Sequence, residues 1–171
     1  MTIKSKAIID RHWARALDDF SGGDRIVDYW IDRSGESANP GVSRQESRFI
    51  RRVFRDVDEL TGLEFERKSK KRASDIALTS VSDYGNSLIG FTEMKSNRFE
   101  VSWQNMAGKE LAVDEKEVIV HEIGHALGLD HPHGNGFDPR YDTFDTIMSY
   151  HSTSNFWFTD SDVNALQRLW G

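Results

Sequence analysis

A chain of 171 residues with 37% hydrophobic and 11% aromatic content can bury one proper core, and its length argues against two. The absence of cysteine excludes disulfides, thiolate metal sites and cysteine nucleophiles, leaving His, Asp, Glu, Ser, Thr and Tyr as the groups able to do chemistry. A formal net charge of −6 argues against general nucleic-acid affinity, and the apolar runs, such as Val118 to Val120, are too short to span a bilayer or to form a signal peptide.

Lys6 to Phe20 places Ile8, Ile9, Trp13, Ala16, Leu17 and Phe20 at helical spacing before a Ser-Gly-Gly-Asp stop, which predicts one N-terminal helix. Arg25 to Asp32 alternates and is rich in β-branched and aromatic residues, which predicts a strand closed by the turn-prone stretch 33–41. From Ser43 to Leu60, Phe49, Ile50, Val53, Phe54, Val57 and Leu60 follow the i, i+3, i+4, i+7 rule of an amphipathic helix. Ser43 and Glu46 make its capping box and Gly62 marks its end. Four short β-prone runs follow at 63–69, 74–81, 88–94 and 98–105, bringing the expected strands to five. The basic cluster Arg67 to Arg72 between two of them reads as a solvated strand connection. Asp114 with Glu117 forms a second capping pattern, opening a helix whose Ile119, Ile123, Ala126 and Leu127 can face the sheet. After a loop rich in Gly, Pro and Asp, Thr159 or Ser161 caps a last helix bearing Val163, Leu166, Leu169 and Trp170. No internal repeat is present.

Half of the six histidines fall in one stretch, His121-Glu122-Ile123-Gly124-His125-Ala126-Leu127-Gly128-Leu129-Asp130-His131-Pro132. On a helix, His121 and His125 emerge one turn apart on the same face, close enough to grip one ion. Gly128 can adopt the left-handed geometry that ends the helix and brings His131 back to the same ion. Three neutral imidazole nitrogens leave one open position on a tetrahedral Zn²⁺, the pattern of a catalytic site. Glu122, beside His121, is placed to act as general base toward a water at that position. H-E-x-x-H alone arises by chance in ordinary helices, and a lone buried histidine is usually a hydrogen-bonded core residue. The extended form H-E-x-x-H-x-x-G-x-x-H fixes five positions, one of them a geometric glycine, and outweighs that plainer reading.

Downstream stands Thr146-Ile147-Met148-Ser149-Tyr150. Alone, Met148 would be core filler and Tyr150 a half-buried aromatic. Together with the histidine stretch, these residues resemble the metzincin zinc endopeptidases and their Met-turn, which implies that Met148 is a hydrophobic floor beneath the metal. Within that clan, His131-Pro132 and Met148-Ser149-Tyr150 most resemble the serralysins, secreted bacterial metalloendopeptidases. This implies that Tyr150 is a labile fifth ligand that swings away to hydrogen-bond the tetrahedral oxyanion. Residues 158–171 are similar to the last helix of serralysin and matrixin catalytic domains. The likeness extends from about Arg25 to the C-terminus, but only the zinc helix and the Met-turn are specific.

The resemblance implies an α/β (α+β) metzincin-like catalytic domain with a twisted five-stranded sheet, two long helices and a small C-terminal helical subdomain. Its parts would be an N-terminal helical segment (1–24), an upper subdomain with the zinc helix (25–131) and a lower one with the Met-turn (132–171). It also implies a zinc-dependent endopeptidase whose protein or peptide substrate lies extended along a sheet edge, with 88–94 as that edge and neither nucleic acid nor membrane as partner. A secreted location follows from the serralysin likeness, although none of the glycine- and aspartate-rich calcium-binding repeats of serralysins occurs in the sequence. No histidine lies between His12 and His121, so the structural zinc of matrixins has no ligands, and cysteine-switch latency is excluded. Asp10, Asp18 or Asp19 are the substitutes that would cover the zinc. Asp138, Asp142 and Asp145 offer hard oxygens for Ca²⁺ without EF-hand spacing. His133 and His151 flank the site as surface or supporting residues, and His12 reads as structural. The rival reading is a zinc-holding domain that binds peptides or a partner without cleaving them; Glu122, which metal holding does not require, speaks against it. A zinc hydrolase acting on non-protein substrates and a zinc-independent structural domain are the further alternatives. The oligomeric state is not legible in the sequence.

Overall fold

The computed structural model describes residues 2–35, 39–106 and 111–171, so part of the turn expected at 33–41 lies outside the described residues. The chain runs α1 (Arg11–Phe20), β1 (Ile26–Ile31), α2 (Arg44–Leu60), β2 (Glu64–Arg67), β3 (Ile76–Val81), β4 (Gly90–Met94), β5 (Phe99–Gln104), α3 (Val113–Ala126) and α4 (Asp160–Trp170). This is an α+β architecture built on one mixed five-stranded sheet of order β2-β1-β3-β5-β4. β1 pairs in parallel with β2 and β3, and β3 with β5, while β4 alone runs antiparallel, against β5.

Alternation decides which face is covered. Tyr29, Ile31, Ile76, Leu78, Phe99, Val101 and Trp103 are buried on the side that receives the helices. Phe99 stacks on Trp13 of α1, Tyr29 packs on Phe54 of α2, and the Trp103 indole donates to Glu46 Oε1 of α2 at 2.8 Å. The antiparallel strand β4 occupies the edge beside α3, with Phe91 exposed on it and Leu88 and Ile89 exposed just before it. Among the described residues no helix is long and apolar enough to cross a membrane.

The capping box of α2 forms as its sequence implies: Ser43 Oγ accepts from the Glu46 N–H, and Glu46 Oε2 accepts from the Ser43 N–H. At α4, Thr159 rather than Ser161 is the cap, paired with Asp162, and the Ser161 hydroxyl instead accepts the Ile3 N–H. Two helix expectations are corrected. The Asp114–Glu117 pattern does not cap α3, which starts at Val113 behind Ala112 with no side-chain cap; Asp114 and Glu115 lie in its first turn, where their charge suits the helix dipole. The helix expected from Lys6 to Phe20 is broken. Ser5–Ala7 is a 3₁₀ turn, α1 begins only after Asp10, and between them Ile9 forms an antiparallel bridge with Leu129 instead of continuing a helix. The Asp10 N–H donates to Gly128 O (2.8 Å), and the Asp130 N–H donates to Ile8 O (3.0 Å). Long-range pairing with the chain after α3 outcompetes the local helical spacing. The basic stretch at 67–72 connects β2 to β3, with Lys68 paired to Asp28 and Glu66 and Lys71 to Glu100.

Candidate metal centre

The helix α3 carries His121, Glu122 and His125. It ends in a Schellman motif: the Gly128 N–H donates to His125 O and the Leu129 N–H to Gly124 O, both at 2.9 Å. Gly128 has φ +89°, and a Cβ there would lie 2.8 Å from the Ala14 Cβ of α1, so a side chain is excluded by conformation and by space together. The reversal, braced by residues 8–10, returns the chain so that ligand nitrogens of His121, His125 and His131 all lie within 4.8 Å of one another.

The rings are oriented from behind. His121 Nδ1 donates to Ile147 O at 2.8 Å and His125 Nδ1 to Leu129 O at 3.0 Å, which leaves each Nε2 carrying the lone pair. Nε2 of both His121 and His131 is buried with no hydrogen-bond partner among the described residues. Buried polar atoms are rarely left so, and two orphaned acceptors converging with a third imidazole are the donor set that fits Zn²⁺. Burial pushes the His121 imidazole down to about 4, with a smaller push from His131. Burial also lowers His125 well below its ordinary value and lowers His131. All three are thereby kept neutral, the form in which an imidazole binds a cation.

Glu122 is 7% exposed, and burial pushes its carboxyl up to about 7, with Thr92 opposing. The Thr92 hydroxyl lies 2.7 Å from Glu122 Oε2 and 2.8 Å from Glu122 O, tying the carboxylate to the edge strand. A divalent cation among the histidines favours its ionised form. Tyr150 is half-exposed, and its ring centroid lies 5.4 Å from that of His121 and 4.6 Å from that of His131. Met148 is fully buried with its sulfur against Gly124, in the turn of α3 between the two histidines; a Cβ on Gly124 would come within 2.9 Å of that sulfur.

A model of the matrixin family matches residues 84–171, just over half of the chain and all of the histidine cluster. The chain belongs to the matrixin family. Among individual curated proteins, no sequence matches it. As a matrixin it is of metzincin type, in a family that depends on zinc, and His121, His125 and His131 form a group able to hold such an ion.

Other residues singled out by sequence do not join the matrixin site. Asp10 is engaged at the N-cap of α1, accepting from the His12 and Trp13 N–H groups, and Asp18 and Asp19 lie exposed on that helix, so none of them covers the histidines. His12, read as structural, is exposed, as are His133 and His151. The three aspartates considered for calcium do not gather: Asp138 is held by Arg140, Asp142 Oδ1 accepts the Phe144 N–H, and the histidines form the metal-holding group found among the described residues. Sequence reasoning missed Thr92, Gly124 and Asp162. The glycine inside H-E-I-G-H was a usable signal, since a helix-interior glycine costs stability and asks for a packing reason.

Proposed function

We propose that this chain is a zinc-dependent endopeptidase of serralysin-like type that cleaves an extended peptide laid along β4. The observation that carries the proposal is the buried Glu122 carboxylate, one residue from a metal-fitting trio and hydrogen-bonded to the edge strand. Zinc held by His121, His125 and His131 supplies Lewis acidity toward the scissile carbonyl and toward water. Glu122 accepts the proton of the attacking water and returns it to the departing amine. Tyr150, through its phenol, donates a hydrogen bond to the developing oxyanion; its ring contacts with His121 and His131 support the serralysin-like assignment. Met148 forms the floor of the site from beneath α3. The edge position of β4 and the exposed Phe91 on it, with Leu88 and Ile89 just before it, support strand addition as the mode of substrate binding.

The test is cleavage of casein and of a peptide library by the zinc-loaded chain. Glu122→Ala is expected to lower kcat by about 10²-fold or more while zinc stoichiometry stays at one. Tyr150→Phe is expected to lower kcat by about tenfold or more with little change in KM. A zinc-loaded chain inert on every peptide would instead establish a domain that binds without cleaving.

A further inference from the structure

The exposed face of α2 carries Arg48, Arg51, Arg52 and Arg55 at i, i+3, i+4 and i+7, a single stripe about 10 Å long. Beside it lies an open groove of about 740 Å³, lined also by Phe49, by Leu111 and by Lys116 of α3, with no acidic residue in its lining among the described residues. Its walls are held by aromatic contacts: Phe156 and Trp157 pack on Phe49, the Lys116 ammonium lies 5.0 Å over Phe156, and the Arg52 guanidinium 5.0 Å over Trp157. Arg52 and Arg55 share Asp56, whereas Arg48 and Arg51 have no carboxylate partner among the described residues. In a chain of net charge −6 this is a local concentration of positive charge on two packed helices.

We propose that this groove docks an acidic segment of a protein partner, apart from the histidine cluster. Guanidinium forks pair bidentately with carboxylates, and the stripe matches about three extended residues at roughly 3.4 Å each. Phe49 and Leu111 in the lining suit aliphatic side chains interleaved with the acids. Those apolar residues, which a polyphosphate backbone cannot use, favour a peptide over nucleic acid. Because the basic groups stand on helices already packed in place, binding needs no backbone ordering on this side, only that of the side chains.

The test is fluorescence anisotropy of a labelled Glu-Leu-Glu-Glu-Leu-Glu peptide with the full zinc-loaded chain, in a Glu122→Ala background so that the peptide is not cut. Saturable binding at low salt is expected, weakened about tenfold at high salt, and weakened about tenfold or more by Arg48→Glu with Arg51→Glu. The milder pair Arg48→Gln with Arg51→Gln is expected to lose about fivefold with an unchanged thermal midpoint, and it decides the matter if the charge-reversed pair folds poorly. Three results overturn the proposal: no saturable binding, equal affinity in the glutamine pair, or tighter binding of an oligothymidylate that the same substitutions abolish.

Discussion

At Gly90 a hydrogen stands where a Cβ would lie 2.6 Å from Glu122 Oε1 and 2.6 Å from Val118 Cγ1. The edge strand reaches the zinc helix this closely only because position 90 has no side chain, and Thr92, two residues on along the same face, then meets the carboxylate. Gly90→Ala must push Glu122 aside or tilt β4 away. The expected outcome is a fall in kcat/KM of about tenfold or more, with zinc content unaffected, measured by peptide cleavage alongside metal analysis. Wild-type activity in that variant would mean that the carboxylate's position does not matter. A glycine inside a β-prone run is the sequence signal of a close approach, but what approaches it is not written locally.

Among the elements, the N-terminus of α4 organises the Met148 turn. Asp162 is fully buried and accepts from Thr146 Oγ1 (2.5 Å), the Ile147 N–H (2.9 Å), the Thr159 N–H (2.8 Å) and Thr159 Oγ1 (2.9 Å). Ile147 in turn accepts from His121 Nδ1, so one capping carboxylate reaches a metal-facing imidazole through a single residue. Asp162→Ala leaves several buried donors unmet and is expected to cost roughly 3 kcal/mol of stability. Because His121 loses its anchored partner, zinc affinity should fall with it, by about tenfold or more. Urea denaturation and zinc titration of the same variant measure the two effects. Unchanged affinity despite lost stability would confine Asp162 to a folding role.

Across the whole molecule, α2, β5 and α3 meet at a buried polar knot of Glu46, Trp103 and Glu115. Burial, and then the hydrogen bond with Glu46, push the Glu115 carboxyl up to about 8 from an ordinary 4.5. The folded chain therefore holds a proton that the unfolded chain releases. This contribution to stability is complete below about pH 4.5 and is lost as pH rises through about 8. The urea midpoint of the wild type should fall as pH is raised from about 4.5 toward 8 and level off above it, and Glu115→Gln should flatten that part of the profile. A wild-type midpoint with no Glu115-dependent fall between about pH 4.5 and 8 would show that the pair keeps no proton in the fold.

The sequence by itself determined the amphipathic face of α2 and its cap, the five strands, and the spacing of His121, His125, Gly128 and His131, because these rest on short-range periodicity and on the conformational needs of single residues. Only the tertiary structure decided the strand order β2-β1-β3-β5-β4 and the break at residues 8–10, although the family resemblance already points to 88–94 as the edge. It also decided the hold of Thr92 and Asp162 on the site. Those depend on contacts between residues far apart in the chain, such as Ile9 with Leu129, Thr92 with Glu122 and Asp162 with Ile147. Local propensity favoured a helix through Ile8 and Ile9, and a long-range backbone pairing overruled it. Local pattern likewise offered Asp114 as a cap, but α3 starts at Val113 behind Ala112 with no side-chain cap.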